Sequence, residues 1–216
     1  MTTFNECLNI NPCVAILRGL DIASACEVGE LIYQSGIRSI EVPLNRPNAI
    51  ECITELVAFL PQDCFIGAGT VITAEQVKKV SSIGGRFIVS PNTSIPVIEQ
   101  AMNFNLLPIP GVATVTEAYA AYQAGARYLK LFPASTYGVR HLQVLTSVLP
   151  NDVKIIPVGG VSVDNMLQWL IGGAAGVGIG NDLYECGNTT EQVKLKLAAI
   201  SGALSNYNDR SRKVTK

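Results

Sequence analysis

The chain has 216 residues, 48% of them hydrophobic and 15% charged, with a formal net charge of -1. That length suits one large α/β domain or one (β/α) barrel, and that apolar content excludes a disordered chain. The near-zero charge excludes an electrostatic nucleic-acid surface, and no segment has the roughly 20 apolar residues of a membrane helix, so neither nucleic acid nor membrane is expected as a partner.

Six cysteines, Cys7, Cys13, Cys26, Cys52, Cys64 and Cys186, form no C-x-x-C pair and fit no zinc spacing. They read as reduced, mostly buried thiols of a cytosolic protein. Residues 1–11 lack the basic and apolar regions of a secretory signal.

Residues 5–10 read as a short leading helix that closes one end of the fold. A unit then repeats: a short apolar strand, a polar loop, an amphipathic helix and a small-residue turn. The predicted strands are 14–17, 39–42, 65–68, 86–90, 106–109, 128–132, 154–158 and 176–179. Pro108 removes a ladder donor from the fifth. The first helix places Ile22, Ala25, Gly29 and Ile32 on one face. The second places Ile50, Ile53, Val57 and Leu60 on one face, with Pro47 in its first turn. Thr73 with Gln76, and Thr114 with Glu117, form capping boxes that open the third and fifth helices. The remaining helices are 95–102, 139–149, 165–171 and 189–204, with a frayed polar tail from Asn206. Even alternation implies a parallel sheet, and eight units in this length favour closure into a single-domain (β/α)8 TIM barrel. An open doubly wound sheet is the runner-up, but no G-x-G-x-x-G opens the first helix.

In a barrel, the residues at strand C-termini line the active face. Here those positions carry Arg18, Glu41, Thr70, Asn92 and Lys130. Lys130 lies inside an apolar strand. Burial lowers the pKa of a lysine and leaves a neutral amine able to attack a ketone. The competing reading is a buried stem whose head reaches an acid or solvent. The strand alone favours that reading; the polar groups gathered at the other strand ends reverse the order. Glu41, between Ile40 and Val42, would point inward and carry protons for such chemistry, or form a plain ion pair with Lys130. Arg18 suits bidentate recognition of a carboxylate, with an ion pair to Glu41 as the alternative. The Thr70 hydroxyl either faces a ligand or caps the following loop. Gly159 with Gly160, and Gly178 with Gly180, follow the seventh and eighth strands, where barrels bind phosphate through backbone N–H groups. His141 reads as a surface residue, and Trp169, Tyr119 and Tyr122 as packing.

The motifs Ile16-Leu-Arg-Gly19, Glu41-Val-Pro-Leu-Asn45, Gly67-Ala-Gly-Thr70, Ser90-Pro-Asn92, Pro110-Gly111, Lys130-Leu-Phe-Pro133 and Val158-Gly-Gly160 together carry a resemblance. From about Cys13 to Cys186 the chain resembles the class I aldolases that cleave 2-keto-3-deoxy-6-phosphogluconate or its galactonate epimer. The resemblance implies a homotrimeric (β/α)8 barrel in which Lys130 forms the Schiff base. Glu41 would be the general acid/base, acting through a water. Arg18 and Thr70 would hold the pyruvate carboxylate, Pro91 and Phe132 would shape the pocket, and Gly159, Gly160, Gly180 and Asn181 would hold the phosphate. It implies no cofactor and no metal, because the protonated imine is the electron sink.

Val158 and Asn45 stand where the gluconate branch typically has threonine and arginine, as in the galactonate branch. Gly180-Asn-Asp-Leu-Tyr184 looks like that branch too, with Asn181 where a serine is usual. Arg46, beside Asn45, is the candidate to take over part of the missing arginine's role. The expected reaction is reversible cleavage of 2-dehydro-3-deoxy-6-phosphogalactonate to pyruvate and D-glyceraldehyde 3-phosphate. The alternatives are the gluconate epimer, as in the Entner–Doudoroff route, or use of both epimers. A phosphosugar isomerase or synthase using Glu41 and Lys130 without a covalent adduct, and a non-catalytic sugar-phosphate sensor, are the rival classes.

Overall fold

The computed structural model describes residues 2–214, with side chains described through residue 205. Strands that are apolar on both faces need cover on both sides, and nearly every strand position here is buried. Among the described residues there are nine strands: β1 (Cys13–Ile16), β2 (Ser39–Pro43), β3 (Phe65–Gly69), β4 (Phe87–Val89), β5 (Leu107–Ile109), β6 (Gly111–Val112), β7 (Tyr128–Leu131), β8 (Lys154–Pro157) and β9 (Val177–Ile179). The described helices are α1 (Phe4–Ile10), α2 (Ile22–Gln34), α3 (Ala49–Phe59), α4 (Ala74–Ser82), α5 (Ile95–Asn103), α6 (Val115–Gln123), α7 (Ala134–Val148), α8 (Met166–Ile171) and α9 (Thr190–Val214). No described helix is long and apolar enough to cross a membrane.

All strand pairings are parallel. They form a six-stranded sheet in the order β5-β4-β3-β2-β1-β9 and a three-stranded sheet in the order β6-β7-β8. The fifth strand expected over 106–109 is β5, and a further two-residue strand, β6, follows Pro110. Pro108 and Pro110 have no N–H to give, so the segment bonds β4 before Pro110 and β7 after it. At the other edge, Val158 makes a parallel bridge to Gly178, and the Ala175 N–H donates to the Ile155 carbonyl at 3.0 Å.

The period of two along each strand separates two apolar clusters. Ala15, Ile40, Val42, Ala68, Ile88, Leu129, Leu131 and Ile155 pack with the helices. Val14, Ile16, Phe65, Phe87, Val89, Ile109, Tyr128, Ile156 and Val158 meet one another on the opposite face, joined by Phe4, Cys7 and Leu8 of α1. Phe4 stacks edge-on against Phe65 and Tyr128, with centroids 5.6 and 5.0 Å apart. The leading helix therefore covers the N-terminal ends of the strands, as its sequence position suggested. Glu41 and Lys130 share the phase of this inner face, since Ile40, Val42, Leu129 and Leu131 take the other.

Both expected capping boxes form, Thr73 with Gln76 and Thr114 with Glu117. A third, Thr3 with Glu6, opens α1 and holds the Glu6 carboxyl below its ordinary range. Several boundaries differ from expectation. Asn48 is left-handed (φ 61) and α3 starts after it, so Pro47 lies outside the helix. The buried face is consequently Ala49, Cys52, Ile53 and Leu56, not the one through Ile50 and Val57. Ile22 opens α2 in an exposed position. Gly138 (φ 74, ψ 170) interrupts α7 just before the expected start of that helix. The last helix runs on to Val214, past Leu204, while Thr215 and Lys216 lie outside the described residues. His141 is half-buried rather than on the surface, because its Nε2 lies 2.6 Å from the Ala113 carbonyl. Trp169 packs in the core as expected. The six cysteines are free thiols; four are buried, Cys26 is partly so and Cys186 is exposed.

Candidate active site

The C-terminal ends of the strands surround a cavity of about 460 Å³. Lys130, Glu41, Arg18, Thr70, Pro91, Phe132, Val158, Gly159, Gly160, Gly180 and Asn181 line it, whereas Asn92, also expected at the active face, does not. They come from β1, β2, β3, β4, β7, β8 and β9 or the turns that follow, and only the parallel arrangement brings them together.

Lys130 is 8% exposed and Glu41 is 3% exposed. Burial pushes the Lys130 amine below the ordinary lysine range; the Glu41 carboxylate opposes this and the Arg18 guanidinium adds to it. Burial likewise pushes the Glu41 carboxyl above its ordinary range, against the pull of Lys130 and Arg18. Both shifts favour the neutral forms. Lys130 and Glu41 form no ion pair within 4.0 Å, and neither do Arg18 and Glu41. The plain ion-pair readings are therefore not what the structure holds. Among the described residues, the Glu41 carboxylate accepts no hydrogen bond at all.

Thr70, directly after β3, is in the left-handed region (φ 55), at a backbone cost of about 1–2 kcal/mol. Its hydroxyl bonds no described group, so it does not cap the loop. That task falls to Thr73. Arg18 is exposed at the cavity rim. The Phe132 ring centre lies 4.6 Å from Lys130 Nζ. Pro91 is held by close packing of its own backbone: a Cβ on Gly111 would overlap the Pro91 carbonyl and come within 2.9 Å of the Asn92 nitrogen. The Thr93 hydroxyl donates to the Gly111 carbonyl at 2.9 Å and fixes the same turn.

After β8, Gly159 and Gly160 take φ values of 90 and 78, which side chains rarely tolerate. A Cβ on Gly160 would also meet Ser135 Oγ at 2.9 Å. Gly180 faces open space. The Leu183 and Tyr184 N–H groups both donate to its carbonyl, at 2.8 and 2.9 Å. The Asp182 carboxylate accepts the Val163 N–H at 3.0 Å, joining the two glycine turns. Lys196 Nζ donates to the Asn181 carbonyl at 2.6 Å. Among the described residues, no three His, Cys, Asp or Glu side chains are grouped as a metal site.

A family model described as "Aldolase: KDPG and KHG aldolase" matches residues 4–198. The chain belongs to the KDPG and KHG aldolase family. It is 39% identical over 189 residues to the 2-dehydro-3-deoxy-6-phosphogalactonate aldolase of Escherichia coli (strain K12), covering 88% of this chain and 92% of that one. It is similar to a solved structure described as native KDPGal, with a TM-score of 0.87 and 38% identity, over 90% of this chain and 95% of that one. It is also similar to a cube-shaped porous cage designed by fusing symmetric oligomeric domains, with a TM-score of 0.91 and 36% identity, over 94% of this chain and 76% of that one. The aldolase activity expected from the motifs is thus that of the family.

The aldolase cavity contains further polar groups that the strand-end reasoning passed over. Ser162 and Asp182 line it beside the glycine turns. The Ser162 hydroxyl makes no bond to a described residue, while its N–H donates to Asn165 Oδ1 at 3.0 Å. Both residues lie two positions after a glycine of these turns, so proximity to the turn, not residue type, is the signal in the sequence. An aldolase needs a carbonyl-activating group, a proton carrier and an anchor for the departing fragment. The cavity offers a buried amine, a buried carboxyl and two glycine turns.

Proposed function

We propose that this aldolase reversibly cleaves 2-dehydro-3-deoxy-6-phosphogalactonate into pyruvate and D-glyceraldehyde 3-phosphate through a Schiff base on Lys130. The observation that carries the reading is the buried, pKa-depressed amine of Lys130 at a cavity that also holds Glu41, Arg18 and two glycine turns. In the cleavage direction, the neutral amine attacks the C2 ketone and the carbinolamine loses water to give an iminium ion. Loss of the C4 hydroxyl proton then breaks the C3–C4 bond. Its electron pair passes into the iminium, leaving an enamine and releasing the aldehyde. Protonation of C3 and hydrolysis free pyruvate and restore the amine. Glu41, with its raised pKa and a gap of more than 4.0 Å to the amine, is assigned the proton transfers through an intervening water. Arg18 and Thr70 are assigned the carboxylate, Pro91 and Phe132 the walls, and Gly159, Gly160, Gly180 and Asn181 the phosphate.

The galactonate epimer is supported by apolar Val158 and by Asn45, and by the names of the relatives given above. Val158 offers no hydrogen bond with which to reject the other epimer, so use of the gluconate epimer at a lower rate is the second reading. Borohydride added in the presence of pyruvate should leave a stable mass increment on Lys130, located by peptide mass spectrometry. An unmodified Lys130 would overturn the covalent reading. Parallel steady-state assays on the two epimers rank them.

The two sheets are read as one closed (β/α)8 barrel. The support is the shared segment 107–112 at one junction and the Val158–Gly178 bridge at the other. A homotrimer is proposed as the assembly. Val115 and Tyr119 on α6 and Val144 and Val148 on α7 are exposed apolar groups on adjoining helices, joined where the Tyr119 hydroxyl donates to the Val148 carbonyl at 2.7 Å. Light scattering should return three times the 23.0 kDa chain mass. A cytoplasmic location is proposed from the six unpaired thiols, and cell fractionation tests it.

A further inference from the structure

We infer that Gly69 is a positioning residue for Glu41: the space where a side chain would begin is the seat of the Glu41 carboxyl group. The inference rests on the acid/base role proposed for Glu41. β2 and β3 run in parallel with Glu41 opposite Gly67 and Pro43 opposite Gly69. A side chain on a strand leans along the strand direction, which carries the Glu41 carboxyl from the level of Gly67 to that of Gly69. There it meets no Cβ. One built on Gly69 would overlap Glu41 Oε1 and lie 2.6 Å from its Cδ and 2.9 Å from its Cγ. All three of the nearest atoms belong to Glu41.

Two contrasts show that this glycine differs from its neighbours. Gly159 and Gly160 have left-handed φ values, whereas Gly69 does not, so an alanine would fit its backbone. Gly67, on the same strand and face, is obstructed by the ring and carbonyl of Phe87, which is packing within the sheet. At Gly69 the three nearest obstructing atoms all belong to the Glu41 side chain, its carboxyl closest.

The missing Cβ matters because, among the described residues, no hydrogen bond and no close ion pair holds that carboxyl. It accepts no hydrogen bond from a described residue, and no cation lies within 4.0 Å. Buried catalytic carboxyls are normally aimed by hydrogen bonds. Here shape does the aiming: the gap over Gly69 admits the carboxyl group, and any larger residue would evict it toward the cavity.

The test compares Gly69→Ala, Glu41→Ala and the double variant. Three readouts are used: kcat and KM, exchange of the pyruvate methyl protons in D2O followed by NMR, and borohydride-trapped mass on Lys130. Methyl exchange reads the enamine proton transfer without the cleavage step. Gly69→Ala should lower kcat and the exchange rate together by about 10²-fold, the scale of a displaced acid/base group, with KM changed by less than about threefold. Lys130 should still trap pyruvate. In the Glu41→Ala background, Gly69→Ala should cause no further loss, since the group it displaces is gone. If Gly69→Ala fails to fold, the double variant should fold, because the three nearest clashing atoms have been removed. The inference is overturned by wild-type exchange in Gly69→Ala, by losses that multiply in the double variant, or by a double variant that fails to fold where Glu41→Ala folds. Unchanged exchange in Glu41→Ala would instead overturn the acid/base role itself, which separates the two failures.

Discussion

The carboxylate of Asp182 accepts the backbone N–H of Val163 at 3.0 Å, and this one bond ties the turn after β9 to the turn after β8. The proposed phosphate site is built from both turns. Losing the bond should cost about 1 kcal/mol of alignment, or roughly a five- to tenfold rise in KM. Asp182→Ala is therefore expected to raise KM for the phosphorylated substrate by that factor with kcat nearly unchanged. Asp182→Asn keeps an accepting oxygen and should stay close to wild type. Steady-state assays of the two variants check this, and equal KM values for all three proteins would remove Asp182 from the phosphate site.

Phe132 presents its ring to the Lys130 amine and is itself 37% exposed. It therefore stands between the amine and bulk water. The attacking form of Lys130 is neutral, so the rate of pyruvate trapping should rise with pH through the depressed pKa of the amine. Phe132→Ala lets water in, weakens the desolvation that holds the amine's pKa down, and returns it toward the ordinary lysine range. The rising limb should move to higher pH, and the trapping rate near neutrality should fall roughly tenfold for each unit moved. A limb that stays in place would show that Phe132 does not keep the amine dry.

Much of this site was readable because strands buried on both faces have little use for charge. Glu41 and Lys130 stood out as ionisable residues in apolar strands, and their phase against Ile40, Val42, Leu129 and Leu131 gave their direction. Tertiary contacts stayed hidden. The letters show glycines at 67, 69 and 111, but not that these face the Phe87 ring, the Glu41 carboxyl and the Pro91 carbonyl. Pro108 marks the fifth strand as weak; that a second short strand after Pro110 joins the other sheet depends on which neighbour it meets. His141 reads as a surface residue because helical periodicity cannot show the distant Ala113 carbonyl that it reaches.

Glu41 should cost the fold stability that its function requires. Its folded pKa is raised, so between the ordinary glutamate value and that raised value the native state binds more protons than the unfolded state. Stability therefore falls as pH rises through that window, and the cost is fully present above it. Glu41→Gln removes the titration while keeping the shape. Its melting temperature should match wild type below about pH 4, where both side chains are uncharged. Above the window it should exceed wild type, by about 2–4 °C for each kcal/mol relieved in a chain of this size. Calorimetry across pH checks the sign; a variant less stable than wild type at alkaline pH would contradict the burial argument.

Val158 offers the clearest route to changing substrate preference. It is 8% exposed, lines the cavity directly before Gly159, and forms the bridge to Gly178. Threonine has nearly the same shape but adds a hydroxyl that can bond a substrate hydroxyl. The two epimers differ in the orientation of one hydroxyl, and a buried hydrogen bond of about 1 kcal/mol translates to roughly a fivefold to tenfold preference. Val158→Thr should shift the ratio of kcat/KM values by about that factor toward the gluconate epimer. The gain is expected in kcat/KM for that epimer, with the trapping of pyruvate on Lys130 unaffected, because pyruvate lacks the hydroxyl concerned. An unchanged ratio, measured with both epimers on both proteins, would mean that the discriminating contact lies elsewhere, with Asn45 and Arg46 the next positions to exchange.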